Sequence, residues 1–104
     1  MAIVRTTPRA DLEAEKANRW SQRHRTRGDV FREEYGAALS FLEHSAEIPP
    51  VALKVRGVET RRVLLRRAGC HVYYQLEPGT GDVLIVSIWG SRRGRGPFFR
   101  KRGP

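Results

Sequence analysis

Arg61-Arg62-Val63-Leu64-Leu65-Arg66-Arg67-Ala68-Gly69-Cys70-His71-Val72-Tyr73-Tyr74-Gln75-Leu76 is the stretch whose reading decides the fold. Two runs rich in β-branched, aliphatic and aromatic residues flank Ala68-Gly69, the pattern of two strands joined by a tight turn. A third run, Val83-Leu84-Ile85-Val86-Ser87-Ile88-Trp89, follows the turn-rich Glu77-Pro78-Gly79-Thr80-Gly81-Asp82. Strands over 61–67, 70–76 and 83–89 in an antiparallel meander are the expectation. Alternation puts Val72, Tyr74 and Leu76 on one face of the middle strand and His71, Tyr73 and Gln75 on the other. On the last strand it groups Leu84, Val86 and Ile88 against Ser87 and Trp89. The face holding His71, Tyr73, Ser87 and Trp89 is then semi-polar, and the opposite face needs a cover.

Working back towards the N-terminus, that cover is a helical hairpin. After a short apolar start at Ile3-Val4, Thr7-Pro8 offers an N-cap followed by proline at the first helical position, and residues 9–27 contain neither proline nor glycine. The apolar stripe of this helix is thin, Leu12, Ala17 and Trp20 among many charges, so it docks by a narrow edge. Gly28 ends it. Asp29 can cap a second helix over 30–46, where Phe31, Tyr35, Ala38, Leu39 and Leu42 recur at helical spacing until Pro49-Pro50 stops it. That aromatic stripe reads as core.

Bulk properties narrow the class. A chain of 104 residues with 39% hydrophobic content supports one small domain, expected over 1–96 with a basic, flexible tail at 97–104. No run approaches the roughly 18 apolar residues of a membrane span, and the start lacks a secretory apolar run, so a cytoplasmic protein without a membrane partner is expected. A lone cysteine and scattered histidines show no metal-ligand spacing, and no cofactor motif is present. The formal net charge is +9, and all of the excess lies in residues 51–104, which carry twelve basic and three acidic side chains. Localised arginine suits a phosphate-bearing or acidic partner, although a solvated surface has the same composition.

The series Gly57-Val58-Glu59-Thr60 through Leu76, followed by Ile85-Val86-Ser87-Ile88-Trp89-Gly90-Ser91-Arg92-Arg93-Gly94-Arg95-Gly96-Pro97, resembles the C-terminal half of RelE/ParE toxins of type II toxin–antitoxin systems. The resemblance extends over nearly the whole chain. It implies an α+β fold: an N-terminal short strand and a helical hairpin packed on a twisted antiparallel β-sheet. It also implies neutralisation by a cognate antitoxin, expected to be an acidic, amphipathic segment that forms a hetero-oligomer with this chain. Leu12, Trp20, Arg61 and Arg62 are the expected antitoxin-binding residues.

Two targets follow from the resemblance. RelE-like members cut messenger RNA on the ribosome, whereas ParE-like members bind and inhibit DNA gyrase. Cleavage by the RNA's own 2′-hydroxyl needs a proton acceptor, a cation for the developing phosphate charge and an acid for the leaving oxygen. By register through Gly69, the RelE-like basic positions fall on Arg62, Leu64 and His71, and no tyrosine follows Tyr74. Leucine can neither move a proton nor hold phosphate, which favours the ParE-like alternative. Arg66, Tyr73, Trp89, Arg92, Arg93 and Arg95 are then target-binding candidates, while Arg62, His71 and Arg92 are the catalytic candidates of a nuclease. A non-toxic basic nucleic-acid-binding module is the third possibility. His24 and His44 read as surface residues and Cys70 as a small buried side chain.

Overall fold

Thr7 starts the first helix in the expected way: its hydroxyl accepts the Ala10 amide at 3.1 Å, with Pro8 at the first helical position. The computed structural model describes residues 1–24 and 28–90. Within these, β1 (Val4–Thr6) leads into α1 (Pro8–His24) and α2 (Val30–Ser45). Four strands follow: β2 (Val51–Val55), β3 (Val58–Leu65), β4 (Cys70–Leu76) and β5 (Val83–Gly90). They form one five-stranded sheet in the order β1-β5-β4-β3-β2. The expected α+β architecture is present, with both helices on one face. The basic tail 97–104 and the arginines 92, 93 and 95 lie outside the described residues.

Several particulars differ from the sequence reading. The sheet is mixed, because β1 runs parallel to β5 with Val4 opposite Val83. Strand β3 begins at Val58 rather than residue 61, since it forms a hairpin with the unanticipated β2 through Arg56-Gly57. Both turn residues have positive φ, 54° and 81°, as a two-residue hairpin turn with the twist of its strands requires. Helix α1 docks through small residues. Ala10 and Ser21 are buried and Ala14 and Ala17 pack on the core, while Leu12 and Trp20 stay 58% and 48% exposed. Asp29 makes no side-chain cap of α2; its carbonyl accepts the Glu33 amide at 3.0 Å.

The largest difference is in β5. Tyr73 pairs with Ser87 but Tyr74 pairs with Ile85, so Val86 is an inserted residue. A bulge of this kind exchanges the faces of the residues beyond it. Val83 and Ile85 therefore join Ile88 in the core, and the expected set Leu84, Val86 and Ile88 is split, with Leu84 37% exposed. Ser87 is also withdrawn from the open face, for its fully buried hydroxyl donates to Glu13 on α1 at 2.9 Å.

The core lies between the helices and the sheet: Phe31, Ala38, Leu42 and Ala46 meet Leu65, Val72, Tyr74, Val83 and Ile85. Two polar clasps hold its ends. Glu34 accepts the backbone amides of Ala68 and Arg67 at 2.7 and 3.1 Å, tying α2 to the β3–β4 turn. At the other end the Arg61 guanidinium donates to the carbonyls of Glu47 and Pro49, and the buried Tyr74 hydroxyl donates to Ala46 O at 2.7 Å.

Tyr74 tests the second clasp. Burial pushes its ionisation up from 10.0 to about 12, with Arg61 pulling it down and Glu47 pushing it up. A raised folded-state value means that this contribution to stability is complete below pH 10 and is lost as pH rises through 12. Tyr74→Phe should cost about 1 kcal/mol at neutral pH. The urea midpoints of the wild type and Tyr74→Phe should converge as pH is raised across that window.

Candidate functional site

Strand alternation delivers one set of side chains to the sheet face that carries no helix. Arg62 pairs with Tyr73 and Leu64 with His71 across β3 and β4, and His71 pairs with Trp89 across β4 and β5. Arg62, His71, Tyr73 and Trp89 are thus brought together as the sequence suggested. The Arg62 guanidinium donates to the Tyr73 hydroxyl over a long 3.5 Å, and the His71 and Tyr73 rings meet edge to face at 6.0 Å. Tyr73 is buried, whereas Leu64 is 44% exposed directly beside His71.

The rest of this face is mixed, with Gln75 donating to the Thr60 hydroxyl at 3.1 Å near its middle. Val58 on β3 and Leu84 on β5 share it, both with exposed side chains, and Arg5 on β1 stands opposite Leu84. The His71 imidazole is held below its usual range by burial and, secondarily, by Arg62. It is therefore neutral at pH 7, able to accept a proton or to stack without carrying charge. Among the described residues of this face no carboxylate stands by to orient it.

A second feature lies around the corner of the sheet. A groove of about 600 Å³ opens between the second half of α1 and the ends of β4 and β5, lined by Lys16, Ala17, Trp20, Phe31, Cys70 and Trp89 among others. Trp20 stacks on His24 at 4.6 Å across this rim. Beneath it, one oxygen of Glu13 accepts the Ile88 amide and the Ser87 hydroxyl, both at 2.9 Å, while the other takes Arg9. Lys16 and Glu13 were not singled out from sequence, and Phe31 was read only as core.

The remaining candidates are scattered. Leu12 is exposed on α1. Arg61 faces the helix side, engaged with the carbonyls at the end of α2. Arg66 is exposed in the β3–β4 turn, next to an Arg67 paired with Glu33 at 3.4 Å. Among the described residues no group of His, Cys, Asp and Glu is placed to hold a metal ion, and no helix is long and apolar enough to cross a membrane.

A mixed five-stranded sheet with a helical hairpin on one face can be compared with solved structures. The toxin-antitoxin complex RelBE of E. coli contains a chain that superposes with a TM-score of 0.61 at 17% identity, covering 89% of this chain and all of that one. The isolated E. coli RelE toxin gives the same score and identity over 91% of this chain and 89% of its own. This chain has the RelE fold. No protein-family model and no curated protein matches it by sequence. At this identity the likeness is one of fold.

For His71 the expected outcome is a midpoint below 6.5 in an NMR titration, since both burial and Arg62 disfavour the imidazolium. Removing one of two causes moves it only partway, so Arg62→Ala should raise the midpoint while leaving it short of 6.5. An unchanged midpoint in that variant would show that Arg62 does not act on the ring.

Proposed function

We propose that this chain is the toxin of a type II toxin–antitoxin pair, neutralised by binding its antitoxin, and that it acts by binding a protein target, DNA gyrase, through the helix-free face of its sheet. The fold supports the first part, as does the assembly of the E. coli counterpart, whose structure is described as a toxin-antitoxin complex. The observation that carries the second is the exposed Leu64 beside His71, with Val58 and Leu84 on the same face. Aliphatic and aromatic side chains bordered by a few arginines make a protein-docking surface, where buried apolar anchors supply affinity and arginines supply orientation. RNA cleavage asks for the opposite, several cations and proton carriers around one phosphate.

One observation favours a second reading. Arg62, Tyr73 and a neutral His71 lie in one patch, and a RelE-like ribosome-dependent cut of messenger RNA could draw its cation and its base from them. A non-toxic basic nucleic-acid-binding module predicts no growth effect at all.

Induced expression in a bacterial host without the antitoxin should arrest growth with transcripts intact, and the purified protein should inhibit gyrase supercoiling. Leu64→Arg should weaken that inhibition at least about tenfold, the loss of one apolar anchor. His71→Ala should leave it within about threefold, since a half-buried ring offers a partner little of its surface. Truncated transcripts that disappear with His71→Ala would instead establish the nuclease, and healthy growth would remove both toxin readings.

A further inference from the structure

One side chain on the helix-free face is held in a single orientation by a chain of hydrogen bonds. Thr60 stands on β3 one step before the Arg61–Tyr74 pair, which sets it opposite Gln75 on β4. It is fully buried, and its hydroxyl donates to the Val58 carbonyl at 3.1 Å. A hydroxyl has one proton to give, and a carbonyl has none to return. The Thr60 oxygen can therefore only accept from Gln75, which it does at 3.1 Å. That fixes the Gln75 amide with its nitrogen towards Thr60 and its carbonyl oxygen away from it, and among the described residues nothing donates to that oxygen.

The same row continues across the sheet. Gln75 pairs with Leu84 on β5, and Leu84 pairs with Arg5 on β1. Neighbouring strands lie about 4.8 Å apart, so a fixed acceptor, an exposed aliphatic side chain and an exposed guanidinium stand in line over roughly 10 Å. A free glutamine would have to give up rotamer freedom when a partner arrives, whereas this one has already given it up to Thr60. A nucleobase reading such an acceptor would need an aromatic platform beside it. The companions of Gln75 in this row are aliphatic and cationic, which suits the surface of a protein.

We propose that Gln75 is a specificity-determining acceptor of the target-docking face. It takes an N–H or O–H of a protein partner whose apolar side chain covers Leu84 and whose carboxylate reaches Arg5, and Thr60 is the positioning residue that holds it ready. This deepens the gyrase reading above and rests on it. The full chain and its variants are assayed for inhibition of gyrase supercoiling and for binding rates, with urea midpoints measured alongside. Gln75→Met, of similar length but without the amide, should weaken inhibition about tenfold, the effect of leaving the partner's donor unpaired. Thr60→Val should weaken it about threefold by releasing the amide, and Thr60→Ser, which keeps the hydroxyl, should recover most of that loss. In the Gln75→Met background Thr60→Val should have no further effect, a non-additivity that a merely structural role of Thr60 would not produce. Arg5→Glu should slow association more than it speeds dissociation.

Equal inhibition by the wild type and Gln75→Met, at matched urea midpoints, would overturn the inference while leaving the gyrase reading intact. A Thr60→Val loss that persists in full in the Gln75→Met background would overturn the positioning role, and an association rate indifferent to Arg5→Glu would overturn the carboxylate. Transcripts whose cutting positions move in Gln75→Met would make the partner an RNA and overturn the assignment to a protein. A wild type that leaves supercoiling untouched would remove the gyrase reading itself, and this inference with it.

Discussion

One inserted residue and one carboxylate govern how the two layers of this protein meet. Val86 bulges out of β5 and exchanges the faces of the strand, so that Val83 and Ile85 before it and Ile88 after it all reach the core. The disruption leaves the Ser87 hydroxyl and the Ile88 amide facing α1, and Glu13 takes both. A single oxygen thus replaces the strand that β1 is too short to provide. Without it, a buried hydroxyl and a main-chain amide would be left unpaired, each costing about 1–3 kcal/mol. The pitch of α1 over the sheet, and so the groove beside Trp20, depends on that contact.

Parts of this arrangement are legible in sequence because they are local. The Thr7-Pro8 start, the turn at Gly69 and the limits of β4 follow from capping and turn chemistry within a few residues. The gathering of Arg62, His71, Tyr73 and Trp89 follows from a two-residue period in paired strands. Other parts are not local. Val51-Ala52-Leu53-Lys54-Val55 has neither clean alternation nor a glycine-asparagine turn, and its left-handed Arg56 is an uncommon residue for that position. The bulge at Val86 is silent in a run of six apolar residues out of seven. Helix α1 misleads because large side chains are read as the docking face, whereas close approach to a sheet selects alanine and serine. Glu13, three positions into a charged run, carries no mark that its partner lies 74 residues away.

Two of the described cations of the second half are already engaged within the fold. Arg61 is occupied with the carbonyls that follow α2, and Arg67 with Glu33. On the helix-free face of the described residues stand Arg62, with Val58 and Leu64 on its own strand, and Arg5, opposite Leu84. Charge placed this way orients an encounter and leaves complementarity of apolar shape to decide which partner stays.

The parallel pairing of β1 with β5 bears on how the protein comes into being. Val4 meets Val83, and the Ile3 amide donates to the Asp82 carboxylate across 79 residues of chain. The first strand synthesised therefore waits for the last before its edge hydrogen bonds exist, and the entropy of closing that span is met only at the end. A nascent chain can form its helices and the β3–β4 hairpin early, yet it cannot complete the sheet until β5 has emerged. The face that pairs His71 with Trp89 is assembled in that same final step.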